Sequence, residues 1–201
     1  MATRNSPLET ALAPQNLKRW TVEAYHQLSE LGLLDLDERT ELISGQIIVM
    51  AAKGTPHVIT LQLLAIQIDD FLRDKPFFAR TQDPIQLDDL SEPEPDLAIV
   101  EGNILTYVNH HPKPQSVRLI VEVADTTLKQ DCEIKDKLYA QAKIPEYWVI
   151  DLQHRRLHIF QKPGERGYSS HLILDENNSV APSSFPDMVL SVASMLSPVR
   201  A

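Results

Sequence analysis

Two acids stand where apolar residues are expected. Glu122 lies inside Val117-Arg-Leu-Ile-Val-Glu-Val-Ala124, an almost continuously apolar run that reads as a central strand. Asp96 opens the shorter run Pro95-Asp-Leu-Ala-Ile-Val100. A buried carboxylate is costly unless it is paired, hydrogen-bonded or bound to a metal. Two carboxylates on neighbouring strands can share one Mg²⁺, which favours one or two carboxylates plus water and phosphate oxygens. Such an ion lowers the pKa of a water and polarises a phosphoryl group. Lys135, on the helix expected next, can orient or deprotonate that water or stabilise developing negative charge.

Each residue also has a plainer reading. Glu122 and Arg118 fall on one face by strand period and can form a solvated polar edge. Asp96 after Pro95 suits a turn. Asp131 and Lys135 have the i, i+4 spacing of an exposed helix pair. Glu41 alone reads as exposed, and His57 as a helix N-terminal residue without function. His110-His111 sit in a Pro-rich loop, where two adjacent histidines seldom bind one ion. Cys132 reads as a packing residue. There is no Gly-x-Ser-x-Gly elbow, Gly-x-Gly-x-x-Gly turn or phosphate loop.

The elements that must position these residues follow in order. Met1–Arg19 read as a flexible arm, and residues 20–201 as one domain. Thr21 is a candidate N-cap for a helix carrying Val22, Tyr25 and Leu28, with Gly32 as its stop. Glu41–Met50 reads as a hairpin about Ser44-Gly45. Val58, Leu61, Ala65, Ile68 and Leu72 mark an amphipathic helix. Strands are expected over Phe77–Leu87, Pro95–Val100, Val117–Ala124, Tyr147–Ile150, Arg156–Gln161 and Tyr168–Leu174. A helix is expected over Lys129–Lys143, with Ile134, Leu138 and Ala142 inward, and a short one over Val192–Leu196. The class is α/β: a central mixed sheet flanked by helices, with extra strands in the C-terminal third.

The 201 residues carry 19 Lys+Arg and 28 Asp+Glu, a formal charge of −9, with 43% hydrophobic residues and one cysteine. An internal disulfide is excluded, and no run approaches the roughly 20 apolar residues of a membrane helix. A soluble, cytoplasmic protein is expected. The charge argues against a broad nucleic-acid-coating surface. Between Arg80 and Lys113 there is no Lys or Arg. Arg155, Arg156, Lys162 and Arg166 are candidates for a basic patch.

Taken in order, several signatures resemble the Uma2 family, a restriction-endonuclease-like set, from Trp20 to Leu196. They are Glu41-Leu-Ile-Ser-Gly-Gln-Ile, Pro95-Asp-Leu-Ala-Ile-Val, Val121-Glu-Val-Ala-Asp-Thr-Thr, Asp131-x-x-x-Lys135-x-x-x-Tyr139 and Ile144-Pro-Glu-Tyr-Trp-Val-Ile-Asp151. The resemblance implies a PD-(D/E)xK phosphodiesterase core. Asp96 and Glu122 would be Mg²⁺ ligands, Mn²⁺ being a substitute, and the Val123 carbonyl a third. The lysine two places after the acid is replaced by Ala124. Lys135 on the following helix takes its role, with Lys137 as the alternative. Glu41 matches a further supporting acid. Two positions depart from the family pattern: Cys132, where Arg is frequent, and Lys143, where Gly is frequent.

The resemblance thus implies a Mg²⁺-dependent endonuclease in which a metal-activated water attacks a phosphodiester. The partner would be nucleic acid, DNA in the leading reading, with no membrane and with a homodimer as the expected assembly. The alternatives are a catalytically weak or inactive nuclease-fold module that binds nucleic acid or protein, and a hydrolase acting on other phosphoesters.

Overall fold

The computed structural model describes residues 17–35 and 37–198, so most of the proposed N-terminal arm lies outside the described residues. Helix α1 spans Val22–Glu30, and the Thr21 side chain caps it by accepting the Ala24 amide. Strands β1 (Thr40–Ile43) and β2 (Gln46–Val49) form the expected hairpin. Ser44 and Gly45 both have positive φ, 50° and 77°, which a tight two-residue turn requires. A Cβ on Gly45 would stand 2.5 Å from the Arg19 side chain, so the incoming chain presses directly on this turn. Helix α2 spans Thr55–Leu72.

Six strands form the central sheet in chain order: β3 (Phe77–Thr81), β4 (Leu97–Glu101), β5 (Val117–Ala124), β6 (Glu146–Asp151), β7 (Arg156–Gly164) and β8 (Gly167–Asp175). Only β5 and β6 are parallel. Their connection carries α3, built from three contiguous stretches, Leu128–Gln130, Asp131–Lys135 and Asp136–Gln141. A parallel pair needs such a crossover, whereas the antiparallel neighbours need only turns or loops. A two-stranded piece, β9 (Ser179–Val180) with β10 (Leu190–Ser191), and the short α4 (Val192–Met195) complete the C-terminal third. This is the mixed sheet with flanking helices and added strands read from the sequence.

The sheet has two buried faces, and the alternation along β5 assigns them. Leu119, Val121 and Val123 join the core shared with Leu61, Leu64, Ile68 and Leu72 of α2. Ile120 and Ala124 join the core that holds Tyr139 of α3. Glu122 shares their parity and therefore faces α3. The buried acid Glu146 on β6 has a full set of neutral donors: Trp148 Nε1, the Ser183 amide and the Ser183 hydroxyl. It is a structural group, satisfied without a cation.

One strand end and two buried helix faces differ most from the sequence reading. β3 stops at Thr81 because Gln82 adopts φ 57°, so Gln82–Leu87 is irregular rather than strand. On α2, His57, Thr60 and Leu64 are buried, whereas Val58 is exposed. On α3, Ile134 is exposed instead of facing inward. The cause there is a π-helical turn at Asp131–Lys135, where the Asp136 amide reaches back five residues to the Asp131 carbonyl. The wider turn shifts the buried face to Asp131, Lys135 and Tyr139. The helix then ends in a paired motif, with Lys143 N–H on Ala140 and Ile144 N–H on Tyr139. Lys143 has φ 64°, a left-handed conformation that costs a side-chain-bearing residue about 1 kcal/mol.

Candidate active site

β4 and β5 run antiparallel, and Leu97 opposite Val121 is their last pair toward the β4 N-terminus. Beyond it Asp96 and Glu122 stand side by side, and the Asp96 amide donates to Glu122 Oε2 at 3.3 Å. Lys135 Nζ donates to Glu122 Oε1 at 2.9 Å and lies 3.4 Å from Glu41 Oε1. Glu41 Oε2 accepts the Glu94 amide at 3.1 Å. All four side chains are buried and line one cleft of about 340 Å³. Val123 lines it too, and its amide donates to Asp96 Oδ2 at 2.9 Å.

The solvated readings of these residues fail on geometry. Arg118 pairs with Glu101 rather than standing beside Glu122. Asp131 and Lys135 are both buried. Asp131 accepts the Thr127 hydroxyl at 2.6 Å, while Lys135 turns to the acids of the sheet and hairpin. Lys137 is exposed, so of these two helix lysines Lys135 is the one in the cleft. The four basic residues considered as a patch are divided. Arg155 is tied to Glu176 and the Ser197 carbonyl, and Arg156 and Lys162 stand roughly 20 Å apart along β7 by strand rise.

Three further side chains complete the cluster. His57 Nε2 lies 2.9 Å from Asp96 Oδ2, so this residue is more than the start of a helix. Lys53 Nζ stands 3.6 Å from Asp96 Oδ1. The Tyr139 hydroxyl donates to Glu122 Oε1 at 3.0 Å. Tyr139 was legible as the residue four after Lys135 in the quoted pattern. Lys53 and His57 flank the Gly54–Pro56 break, and only the packing of α2 on the sheet brings them to Asp96.

The cluster holds more acid than base, and proton affinities follow. Burial pushes Glu122 up to about 8, reinforced by Asp96, Asp131 and Glu41 and opposed by Lys135. Burial would also raise Asp96, but the bonds and charge from His57, the Val123 amide and Lys53 hold it below its usual value. Burial disfavours the Lys135 ammonium, yet Glu122, Glu41 and Asp131 outweigh it and shift Lys135 upward. Lys135 is therefore a fixed cation at neutral pH and a poor candidate for a base. Asp96 Oδ1, Glu122 Oε2 and the Glu41 carboxylate are hard oxygen donors in a cleft with surplus negative charge. That donor set fits a Mg²⁺-type ion.

The chain matches the pattern of the Uma2 family, described as "Putative restriction endonuclease", over residues 22–193. It belongs to the Uma2 family. Among solved structures, a protein titled a "putative nuclease belonging to DUF820" from Anabaena variabilis shares the fold. Its TM-score is 0.68 at 16% identity, covering 87% of this chain and 96% of that one. No match was found among curated proteins. Among the described residues of this Uma2 protein, no helix is long and apolar enough to cross a membrane.

Cys132 sits next to Asp131, beside the cluster but outside its chemistry. Its Sγ is 4.0 Å from His158 Nδ1. Burial, together with Asp131, Asp136, Asp151 and Glu133, pushes the thiol up to about 12 from 9.0. That rise cuts the thiolate fraction about 1000-fold at pH 8. The greater intrinsic nucleophilicity of a basic thiolate restores roughly 30-fold of that. Native Cys132 should therefore react with a disulfide reagent at pH 8 about 30-fold more slowly than the urea-unfolded chain. Equal rates would contradict this environment.

Proposed function

We propose that this chain is a Mg²⁺-dependent nuclease hydrolysing phosphodiester bonds of DNA through a PD-(D/E)xK-type site. Convergence of Glu41, Asp96, Glu122 and Lys135 in one buried cleft carries the reading. Membership of the Uma2 family supports it. Asp96 and Glu122 would hold the ion, with the Val123 carbonyl as a third ligand, and Glu41 would support the shell. Bound there, the ion would activate a water and polarise the scissile phosphoryl group. Mn²⁺ would substitute for it.

The protein's own groups have distinct tasks. His57 and the Val123 amide both bind Asp96 Oδ2 at 2.9 Å, while Oδ1 takes a longer bond of 3.4 Å from the Gln82 side-chain amide. Tyr139 and Lys135 fix Glu122 Oε1 in the same way. Lys135, held charged, stabilises negative charge developing on the phosphate. Lys53, with its ammonium beside Asp96 Oδ1, supplies a second cation for a phosphate oxygen.

The test is cleavage of plasmid DNA, single-stranded DNA and RNA at increasing Mg²⁺ or Mn²⁺, by wild type and Asp96→Asn. Metal-dependent scission of DNA that falls at least about 100-fold in the variant is expected. Scission that ignores both metal and substitution would overturn the assignment. Salt-dependent DNA binding without cleavage under every metal would instead favour the inactive binding module.

A further inference from the structure

A second cluster lies outside the cleft, in a separate concavity of about 520 Å³. It gathers His26 from α1, Glu92 from the segment between β3 and β4, and His111 from the loop between β4 and β5. One ligand atom from each stands within 4.8 Å of the other two. His26 Nε2 is 2.5 Å from Glu92 Oε1. The His26 and His111 rings are 6.2 Å apart and nearly perpendicular, so they do not stack on each other. His110 is not a member: its Nδ1 turns to the His111 carbonyl.

The three ligand segments are tied down by backbone bonds rather than left loose. Glu92 exchanges amide and carbonyl bonds with Leu42, at 2.8 and 3.3 Å. The Gln86 amide binds the Pro112 carbonyl beside His111, and the Val22 amide binds Asp89 at the start of α1. Residues 26, 92 and 111 are thus brought together by tertiary structure, which their separation in sequence conceals.

The carboxylate is the informative group. The Glu92 side chain is only 3% exposed, and among the described residues its side-chain partner is His26 alone. No Lys or Arg among them forms an ion pair with it. Glu146, equally buried, has three neutral donors instead. A buried carboxylate facing two imidazoles is undersupplied with positive charge, and a cation between the three groups would supply it.

We propose that His26, Glu92 and His111 form a transition-metal site, with Zn²⁺ as its ion and a fourth position open to water. The donor chemistry decides the ion. Two imidazoles and one carboxylate suit Zn²⁺, whereas Mg²⁺ and Ca²⁺ require oxygen. Zn–N and Zn–O bonds of about 2.0–2.1 Å place tetrahedral ligand atoms about 3.4 Å apart. Binding thus opens the His26–Glu92 contact and draws His111 inward. The site also has a consequence for the cleft. Glu92 pairs with Leu42, next to Glu41, and the Glu94 amide holds the Glu41 carboxylate. Metal here clamps α1 and the long loop to the segment that positions Glu41. The assignment is independent of the nuclease reading.

Co²⁺ titrated into the untagged full chain in excess Mg²⁺, which occupies oxygen-rich sites, tests this. A visible ligand-field spectrum saturating at one Co²⁺ per chain and displaced by Zn²⁺ is expected. His111→Ala and His26→Ala should each weaken Co²⁺ at least about 100-fold, beyond what the loss of an outer-shell partner costs. Zn²⁺ should raise the Tm of wild type and leave that of His111→Ala unchanged. Circular dichroism confirms that the variants are folded. Absence of a saturable spectrum in wild type, or the same spectrum and affinity in both variants, would overturn the site.

Discussion

Glu122→Gln should lower metal-dependent cleavage by about 10³-fold while changing folding stability by no more than about 1 kcal/mol. The two effects separate because of where the carboxylate sits. Glu122 is the one acid touched by Lys135, Tyr139 and the Asp96 amide together. Its charge is what a divalent ion would bind, and the amide removes that charge. Without metal, burial and neighbouring acids push Glu122 up to about 8, so the folded apo-protein at pH 7 already favours the neutral form. Glutamine imitates that form. Its cost is one amide group facing the Asp96 N–H, a contact that is long in wild type at 3.3 Å. Cleavage rates across a Mg²⁺ series and urea denaturation of the apo-proteins read the two quantities. Undiminished cleavage would remove Glu122 from the metal shell. Global unfolding would show that the ionised form holds the fold.

Lys135→Met has the opposite profile, with large losses in both stability and activity. The substitution keeps the apolar stem and deletes what is, among the described residues, the one cation contacting both Glu122 and Glu41. Losing the Lys135 ammonium leaves the buried Glu41 carboxylate without its ion-pair partner, which costs about 3 kcal/mol or more. The pH dependence has a definite sign. Without Lys135, the acids' folded pKa values rise further above their ordinary values, 4.5 for Glu122 and 3.8 for Asp131. A group raised on folding contributes stability that is present below its unfolded pKa and is lost as pH rises toward the folded one. The variant should therefore be closest to wild type near pH 4–5 and fall progressively behind toward pH 8. Urea midpoints at three pH values measure this, with Lys137→Met, at an exposed position, as the control. A pH-independent deficit would mean that Lys135 contributes packing rather than charge.

The sequence by itself determined the elements whose signal is local. The apolar run of β5, the Ser44-Gly45 turn and the Thr21 cap each depend on neighbouring residues, and each was found where expected. The order of acid, acid and lysine was legible for a related reason. A charge inside an apolar strand is conspicuous whether or not its partners are known. Tertiary structure decided the rest. The π-helical turn in α3 carries no strong local signature, yet it moves Ile134 out and Lys135 in, and it separates Lys135 from Lys137. Lys53 and His57 become site residues only because α2 packs its first turn over Asp96. His26, Glu92 and His111 are ordinary surface types in sequence and meet only through the fold. Periodicity reports which face of an element is apolar. Which polar groups meet at the element ends is set by packing between segments far apart in the chain.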